Sequence, residues 1–277
     1  MELSPYLEVI IAATIWGSGG AFVKYLNLPP TTITFFRLAV PTLFLFIFVA
    51  IKKMKIVKKD NKLMLFASSL NAIRMFFFFL AFTYTSISNA VIILYTWPIF
   101  VTTFSVIFLK EKIKRRNVLL LLLAFIGIIF VYFNKELSFA NRDFLGMTSM
   151  LLSASIYSLT LVIYKKESQK YTKLETIFYQ NLVGSLIFLP FLFINQPLPT
   201  ITQTTVAIVY AILIGLVGYG LFFSALKKIK ASTVSHLSYF EVLSGVLFGI
   251  FLFQEILTWN IVVGGLLIII STMLLKK

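Results

Sequence analysis

Ten long apolar runs, separated by short polar segments, limit what this chain can fold into. Each run approaches the roughly 20 residues that an α-helix needs to cross the hydrocarbon core of a bilayer. A chain of 277 residues, 59% of them hydrophobic, cannot bury so much apolar surface in a soluble core. The runs cover residues 6–25, 32–51, 63–83, 89–109, 117–133, 145–164, 174–194, 205–226, 231–252 and 258–275.

The runs predict helices and not the strands of a membrane barrel. Inside a bilayer every backbone polar group must find its partner within the protein. Barrel strands alternate apolar and polar residues, and these runs lack that alternation. We therefore expect an all-α polytopic membrane protein with ten transmembrane helices.

Lysine and arginine concentrate in every second connection between the runs. Segments 52–62, 110–116, 165–173 and 227–230 hold six, five, four and three of these residues, and the C-terminus adds two lysines. Cytoplasmic loops are enriched in Lys and Arg, so both termini are expected in the cytoplasm. The abundance of Lys, Ile, Phe and Asn is typical of AT-rich bacterial genomes, so we expect the inner membrane of a bacterium. The net charge of +15 then faces anionic lipids and not nucleic acid.

An internal repeat appears when the sequence is shifted by 144 residues. "SISNAVIILYTWPIFVTTFSVIFLKEKI" then aligns with "KASTVSHLSYFEVLSGVLFGIFLFQEIL", which pairs Tyr95 with Tyr239 and Glu111 with Glu255. We place the two repeats at residues 1–138 and 139–277. Each holds five helices, an odd number, so the second repeat is expected upside down. Inverted repeats are typical of secondary transporters with a substrate site near the membrane midplane.

These two segments, with "IWGSGGAFVK" in helix 1 and "FFRLAVP" in helix 2, resemble the EamA branch of the drug/metabolite transporter (DMT) superfamily. The resemblance implies a ten-helix basket in which helices 1–4 and 6–9 surround a central cavity and helices 5 and 10 are peripheral. It also implies alternating access and transport of small metabolites, among them amino acids, nucleotide-linked compounds and choline-like amines, without an ATPase part.

Several residues match the family's motif positions: Trp16 and Gly17 in helix 1, Arg37 in helix 2, Pro98 in helix 4, Glu241 in helix 9, and Glu111 and Glu255 after helices 4 and 9. Val242 stands where the family has a proline after that helix 9 glutamate. The basis for a proline hinge in helix 9 is therefore missing.

Ionisable side chains within the apolar runs are the main candidates for function. A charge at the centre of a span costs about 2.5–3.5 kcal/mol on insertion scales, so such groups are functional hypotheses by default. We expect Glu241 to receive an ammonium group or a coupling proton, and Arg74 with Asn71 to receive a carboxylate. The competing interpretation is structural: an ion pair between Arg74 and Glu241, or a hydrogen bond from the Glu241 carboxyl group to helix 4. His236 is a second proton-coupling candidate, against a structural role.

Other charged residues are interpreted as structural. Arg37 lies nearer one end of its helix, and we expect it to pair with a facing carbonyl group. Glu111 and Glu255 lie beside helix ends, where we expect them to cap helices or pair with loop cations.

Aromatic residues with polar atoms are expected to frame the cavity. They lie inside the spans and away from the interfacial belts: Trp16, Tyr95, Tyr157, Tyr179 and Tyr239. Such rings bind an aromatic side chain, or a quaternary ammonium through cation–π attraction.

The sequence therefore predicts a carrier for small amine-bearing metabolites, with zwitterionic or aromatic amino acids favoured. A choline-like quaternary amine is the alternative substrate, and a membrane sensor or scaffold without flux is the alternative of another class. The chain has no cysteine, a single histidine and no phosphate-binding glycine loop, so no enzyme activity, cofactor or metal is expected. A homodimer is left open.

Overall fold

The computed structural model describes residues 3–51, 61–110, 114–133, 135–167, 170–171, 173–195, 197–229, 233–234 and 237–274. These residues form ten spans, with no strand among the elements described. The spans are α1 (Pro5–Gly17 and Gly19–Leu26), α2 (Pro30–Ile51), α3 (Lys62–Tyr84), α4 (Ile87–Leu94 and Trp97–Leu109), α5 (Arg115–Tyr132), α6 (Arg142–Glu167), α7 (Lys173–Ile194), α8 (Ile201–Ile212, the π-helical Leu213–Gly218, and Tyr219–Lys228), α9 (Phe240–Phe253) and α10 (Trp259–Leu274).

The length and composition of the helices confirm a multi-pass membrane protein. Among the described residues, α1 to α8 contain helices long and apolar enough to cross a bilayer, and α9 and α10 are shorter apolar helices. Large apolar side chains stay exposed on the outer faces, as at Phe46 (59%) and Leu119 (67%). Such a surface suits lipid and would be a liability in water. The ten-helix prediction is confirmed.

The packing of the helices repeats with an offset of five. α3 packs against α6 and α7, and α8 packs in the same way against α1 and α2. α4 contacts α6 as α9 contacts α1, and the pairs α2–α7 and α5–α10 are their own counterparts. Five crossings in each half turn the second half upside down, which makes two inverted five-helix repeats.

α5 and α10 approach each other closely at two glycines that face each other, Gly127 and Gly264. A Cβ atom on Gly127 would lie 2.8 Å from the backbone oxygen of Gly264, and one on Gly264 would lie 2.6 Å from the oxygen of Gly127. The two backbones therefore touch, an arrangement that small residues allow in membrane helix pairs.

Four spans are interrupted near their middle, where the sequence pattern predicted continuous helices. α1 is interrupted at Ser18 and α4 at Tyr95 and Thr96, and α8 widens into a π-helix at Leu213–Gly218. In the ninth span a turn at Ser238 and Tyr239 precedes the helix Phe240–Phe253. Pro98 accounts for α4, because proline has no N–H to donate to the carbonyl four residues earlier. α9 has no such proline.

Candidate functional site

The four interruptions surround a cavity of about 570 Å³, a size typical of small-molecule sites. Aromatic side chains make up more than half of its lining. The lining residues are Trp16, Arg37, Arg74, Met75, Phe78, Phe79, Leu94, Tyr95, Trp97, Pro98, Tyr157, Tyr210, Ile214, Tyr219, Phe222, Phe223, Ser238, Tyr239, Glu241 and Thr272. The walls come from α1–α4, α6, α8, α9 and the turn before α9, with one residue from α10 and none from α7.

The Glu241 carboxyl lies in the cavity wall and is hydrogen-bonded to Tyr95. The Tyr95 hydroxyl is 2.9 Å from Glu241 Oε2 and 2.7 Å from the backbone oxygen of Ser238. A tyrosine hydroxyl has one proton, and a carbonyl oxygen only accepts. If Tyr95 donates to Ser238, a protonated Glu241 can donate to the tyrosine oxygen, and both contacts are then true hydrogen bonds.

The same tyrosine explains how α9 is interrupted without a proline. The backbone N–H groups of Glu241 and Val242 bond three residues back, to Ser238 and Tyr239, which gives a tight turn before the α-helix begins. The hydroxyl of Tyr95, reaching across from α4, supplies a further partner for the Ser238 oxygen. A tertiary contact from α4 is therefore present at the α9 interruption.

Tyr95 and Tyr239, which the sequence repeat pairs, are in contact at the two interruptions, with their rings tilted relative to each other. Their ring centroids are 5.1 Å apart with an interplanar angle of 49°. The Tyr239 hydroxyl donates to Oγ1 of Thr272, 2.9 Å away on α10. These contacts form one aromatic wall beside the Glu241 carboxyl.

Arg74 lies in another part of the wall, stacked on an aromatic ring. Its Cζ atom is 4.5 Å from the ring centroid of Tyr157, which is cation–π geometry. Its Nε donates to Oδ1 of Asn71 at 3.4 Å. Among the ion pairs of the described residues, none joins Arg74 to Glu241 within 4.0 Å. The two charges are therefore free to meet different parts of a ligand.

Trp16 and the π-helix of α8 fit together closely. The indole Nε1 of Trp16 donates to the backbone oxygen of Ile214 at 3.3 Å, and its rings pack against Tyr219 and Phe222. A Cβ atom on Gly218 would lie 2.6 Å from that Nε1. Gly218 therefore makes room for the indole at the cavity edge.

Gly17 brings α1 against α9 directly behind Glu241. A Cβ atom on Gly17 would overlap the Ser244 hydroxyl and lie 2.6 Å from the backbone oxygen of Glu241. A larger residue would push the two helices apart at this level. The close approach thus fixes where the Glu241 side chain enters the cavity.

At the end of the bundle opposite the basic connections, Glu255 joins three spans. Its Oε1 accepts from Ile87 N (2.6 Å) and Lys24 Nζ (3.2 Å). Its Oε2 accepts from the backbone N–H (3.0 Å) and hydroxyl (2.8 Å) of Ser88. We call these four residues the Glu255 clasp; it caps the first turn of α4 and pairs with α1, as the sequence predicted for Glu255. Glu111 lies outside the described residues.

The sequence matches one transporter family twice along its length. The EamA-like transporter family is matched over residues 3–133 and again over residues 144–276. The chain belongs to the EamA-like transporter family. Membership in a family of transporters implies a small-molecule substrate for this protein.

Some relatives of this EamA-family protein match it over nearly its whole length. The uncharacterized transporter YoaV of Bacillus subtilis is 27% identical over 95% of this chain and 93% of its own length. The pseudopaline exporter CntI of Pseudomonas aeruginosa is 23% identical over 99% of this chain and 96% of its own. A crystal structure with 14% sequence identity has a TM-score of 0.65 over 97% of this chain and 94% of that one, which shows a shared fold.

Most of the residues that we predicted for the site of this EamA-family protein come together in the structure. The cavity-lining ones are Trp16, Arg74, Tyr95, Tyr157, Tyr239 and Glu241. Asn71 is buried beneath them and holds Arg74. The predicted proton-coupling candidate His236 lies outside the described residues.

Tyr179 is separate from this group. It is on α7, is only 4% exposed, and packs in an apolar cluster with Met64, Tyr171 and Phe178. The cavity has no lining residue from α7, where the family resemblance implied one of eight enclosing helices. α7 packs against α2 and α3, which both contribute lining residues.

Arg37, predicted from the sequence to be structural, lies in the cavity wall. The residue is 5% exposed, and Gly215 of the π-helix packs against it: a Cβ atom there would lie 3.0 Å from Nη1. Tyr210 is a second lining residue that the sequence did not single out. The glycines of "GLVG", Gly215 and Gly218, are the sequence signal for the close packing of α8 at this wall. The same spacing also occurs where helices simply pack together, so it did not identify Arg37 or Tyr210 as lining residues.

Proposed function

We propose that this protein is a secondary carrier for a small amine-bearing metabolite, with zwitterionic and aromatic amino acids as favoured substrates. The observation that carries the proposal is that one cavity is lined by both a carboxyl group, Glu241, and a guanidinium group, Arg74, and that the two are not paired with each other. A free amino acid carries the complementary pair of charges.

In this proposal different residues of the cavity wall bind different groups of the substrate. Glu241 takes the ammonium group and Arg74, steadied by Asn71, takes the carboxylate. Trp16, Tyr95, Tyr157 and Tyr239 enclose the side chain. Removing water from the cavity on binding strengthens both ionic contacts.

Proton exchange at Glu241 would couple transport to a pH gradient. The carboxyl cannot hold a proton and pair with an ammonium group at the same time, so one displaces the other. The contact with Tyr95 supports this role, because Glu241 can donate to the tyrosine oxygen only when it is protonated.

Alternating access is supported by the inverted repeats and by the helix interruptions around the cavity. In carriers built this way one repeat rocks against the other about a midplane site. We place the protein in the bacterial inner membrane with both termini in the cytoplasm and anionic lipids at its basic end. The name of CntI as an exporter makes export a direction to test.

A quaternary amine of the choline type is the second candidate. The neighbouring Tyr95 and Tyr239 rings beside Glu241 favour it, because aromatic faces bind such cations. This substrate has no carboxylate and would not need Arg74. Replacing Arg74 with Gln should therefore abolish amino-acid flux but leave choline flux.

The deciding experiment measures flux into proteoliposomes that hold the purified protein, with and without an imposed pH gradient. The panel contains labelled zwitterionic amino acids, phenylalanine among them, and choline. Glu241→Gln should lower saturable flux about 10- to 100-fold, the effect of one charged hydrogen bond. Glu136→Gln, in the exposed connection between α5 and α6, is the matched control and should transport normally.

Each result has a definite meaning. Saturable flux that survives Glu136→Gln and disappears in Glu241→Gln supports the carrier and its site. Equal flux in both variants contradicts the role of Glu241. If folded protein moves no compound of the panel, the carrier proposal for these substrates fails, and a sensor or scaffold becomes the better reading.

A further inference from the structure

Arg37 is a buried cation with no ionic or hydrogen-bonding partner within the described part of the chain. Arg37 is 5% exposed, and it is one of the residues that line the cavity. No hydrogen bond or ion pair of the described residues involves it, and the facing carbonyl expected from the sequence is not bonded to it.

A buried charge without a partner is costly, and two buried carboxylates among the described residues do have cationic partners. Glu8 is bonded to Lys228 at 2.7 Å, and Glu255 to Lys24. Leaving one member of such a pair buried without its partner is strongly unfavourable. An unpaired guanidinium that lines a ligand cavity is therefore expected to meet its anion on the ligand.

The fold keeps a place for this guanidinium. Gly215 lies in the π-helix, the local geometry that often marks functional sites, and its missing side chain leaves room for Nη1 of Arg37. Arg37 enters from α2 and Arg74 from α3. Two guanidinium groups thus line the same cavity.

The cavity lining has one more positive than negative side chain, so a neutral zwitterion would leave one positive charge without a partner. Arg37 and Arg74 are positive, and Glu241 is the one carboxyl group among the lining residues, all of which are described. A substrate with one ammonium and one carboxylate pairs with Glu241 and one arginine only. A second acidic group would pair with the other arginine.

We infer that the cavity selects amino compounds that carry two acidic groups, with Arg37 and Arg74 each binding one of them. This inference rests on the proposed carrier function and narrows its substrate class from amino acids in general to amino dicarboxylates. Arginine suits this role because its planar guanidinium binds carboxylates through two parallel hydrogen bonds.

The test compares acids with their amides, which have nearly the same shape and differ in charge. Labelled glutamate and glutamine, and aspartate and asparagine, are offered to proteoliposomes, with 2-aminoadipate as a longer competitor. Wild-type protein should prefer an acid over its amide by about 10-fold or more in flux at low concentration. Arg37→Gln should remove most of that preference.

Two further variants control for folding and for overall charge. Arg37→Lys keeps the positive charge and should retain part of the preference for acids. Arg142→Gln removes one positive charge from an exposed position outside the cavity and should behave as wild type. The wild-type comparison needs no variant, so it decides even where Arg37→Gln does not fold.

The possible failures are distinguishable. If amides are carried as well as acids, or if Arg37→Gln lowers both equally, the two-acid inference is wrong and the carrier proposal stands. If wild-type protein carries no acid, no amide and no amine of either panel, the carrier proposal and this inference fail together.

Discussion

At Gly218 the addition of a single methyl group should disturb the packing of Trp16. A methyl group there would lie 2.6 Å from Nε1 of Trp16, and the indole is stiff and packed on two sides. Gly218→Ala should therefore move Trp16, weaken its hydrogen bond to Ile214 and lower stability by about 1–3 kcal/mol, the usual cost of overpacking. Thermal unfolding in detergent measures the change.

Gly220, two residues further along α8, is the matched control. A methyl group there meets nothing within 4 Å. Gly220→Ala should be neutral or slightly stabilising, because alanine has the higher helix propensity. Equal loss of stability in both variants would mean that α8 rejects any side chain in this region, and that the Trp16 contact is not the reason.

The chemical type of a side chain predicted the cavity-lining residues better than its position along a helix did. Glu241, Arg74 and the tyrosines were identified because polar atoms are expensive in a bilayer. Tyr179 satisfied the same rule but is buried in a separate cluster on α7. Arg37 was judged by its distance from the helix end, whereas the packing of α2 against α8 brings it to the cavity.

At the scale of elements, hydropathy predicted the ten spans but not where they are interrupted. Pro98 gave a local signal for the interruption of α4. The interruption before α9 involves Tyr95, which lies 143 residues away from Ser238, so no window of sequence around α9 contains it. The π-helix of α8 likewise changes the register of an apolar run without changing its composition.

The start of α4 should depend on the Glu255 clasp. Gln at position 255 keeps one acceptor oxygen but places an NH₂ group against an N–H donor, and it loses the ion pair with Lys24. Glu255→Gln should therefore destabilise the protein by about 1–3 kcal/mol. The shift in apparent melting temperature is compared with that of Glu136→Gln, and an equal shift in the two variants would contradict the clasp.

For the whole molecule, the absence of cysteine makes the predicted orientation directly testable. Arg115 lies exposed at the basic end of α5, and Leu137, 71% exposed, follows the other end. A membrane-impermeant maleimide should label Leu137→Cys in intact cells and Arg115→Cys only after the membrane is opened.

Other labelling patterns would each correct a specific point. The reverse pattern would mean that the termini lie outside the cytoplasm. Labelling of both positions from the same side would contradict α5 as a membrane span. The cysteine-free parent chain is the background control.

The Glu255 clasp also bears on how fast a carrier of this design can work. If the two repeats rock as proposed, α1, α4 and the end of α9 must separate at that end once in every cycle, and the clasp must open each time. Its free energy then enters the activation barrier, where each 1.36 kcal/mol changes a rate about tenfold. The contact that steadies the resting protein would thereby set a ceiling on its turnover number.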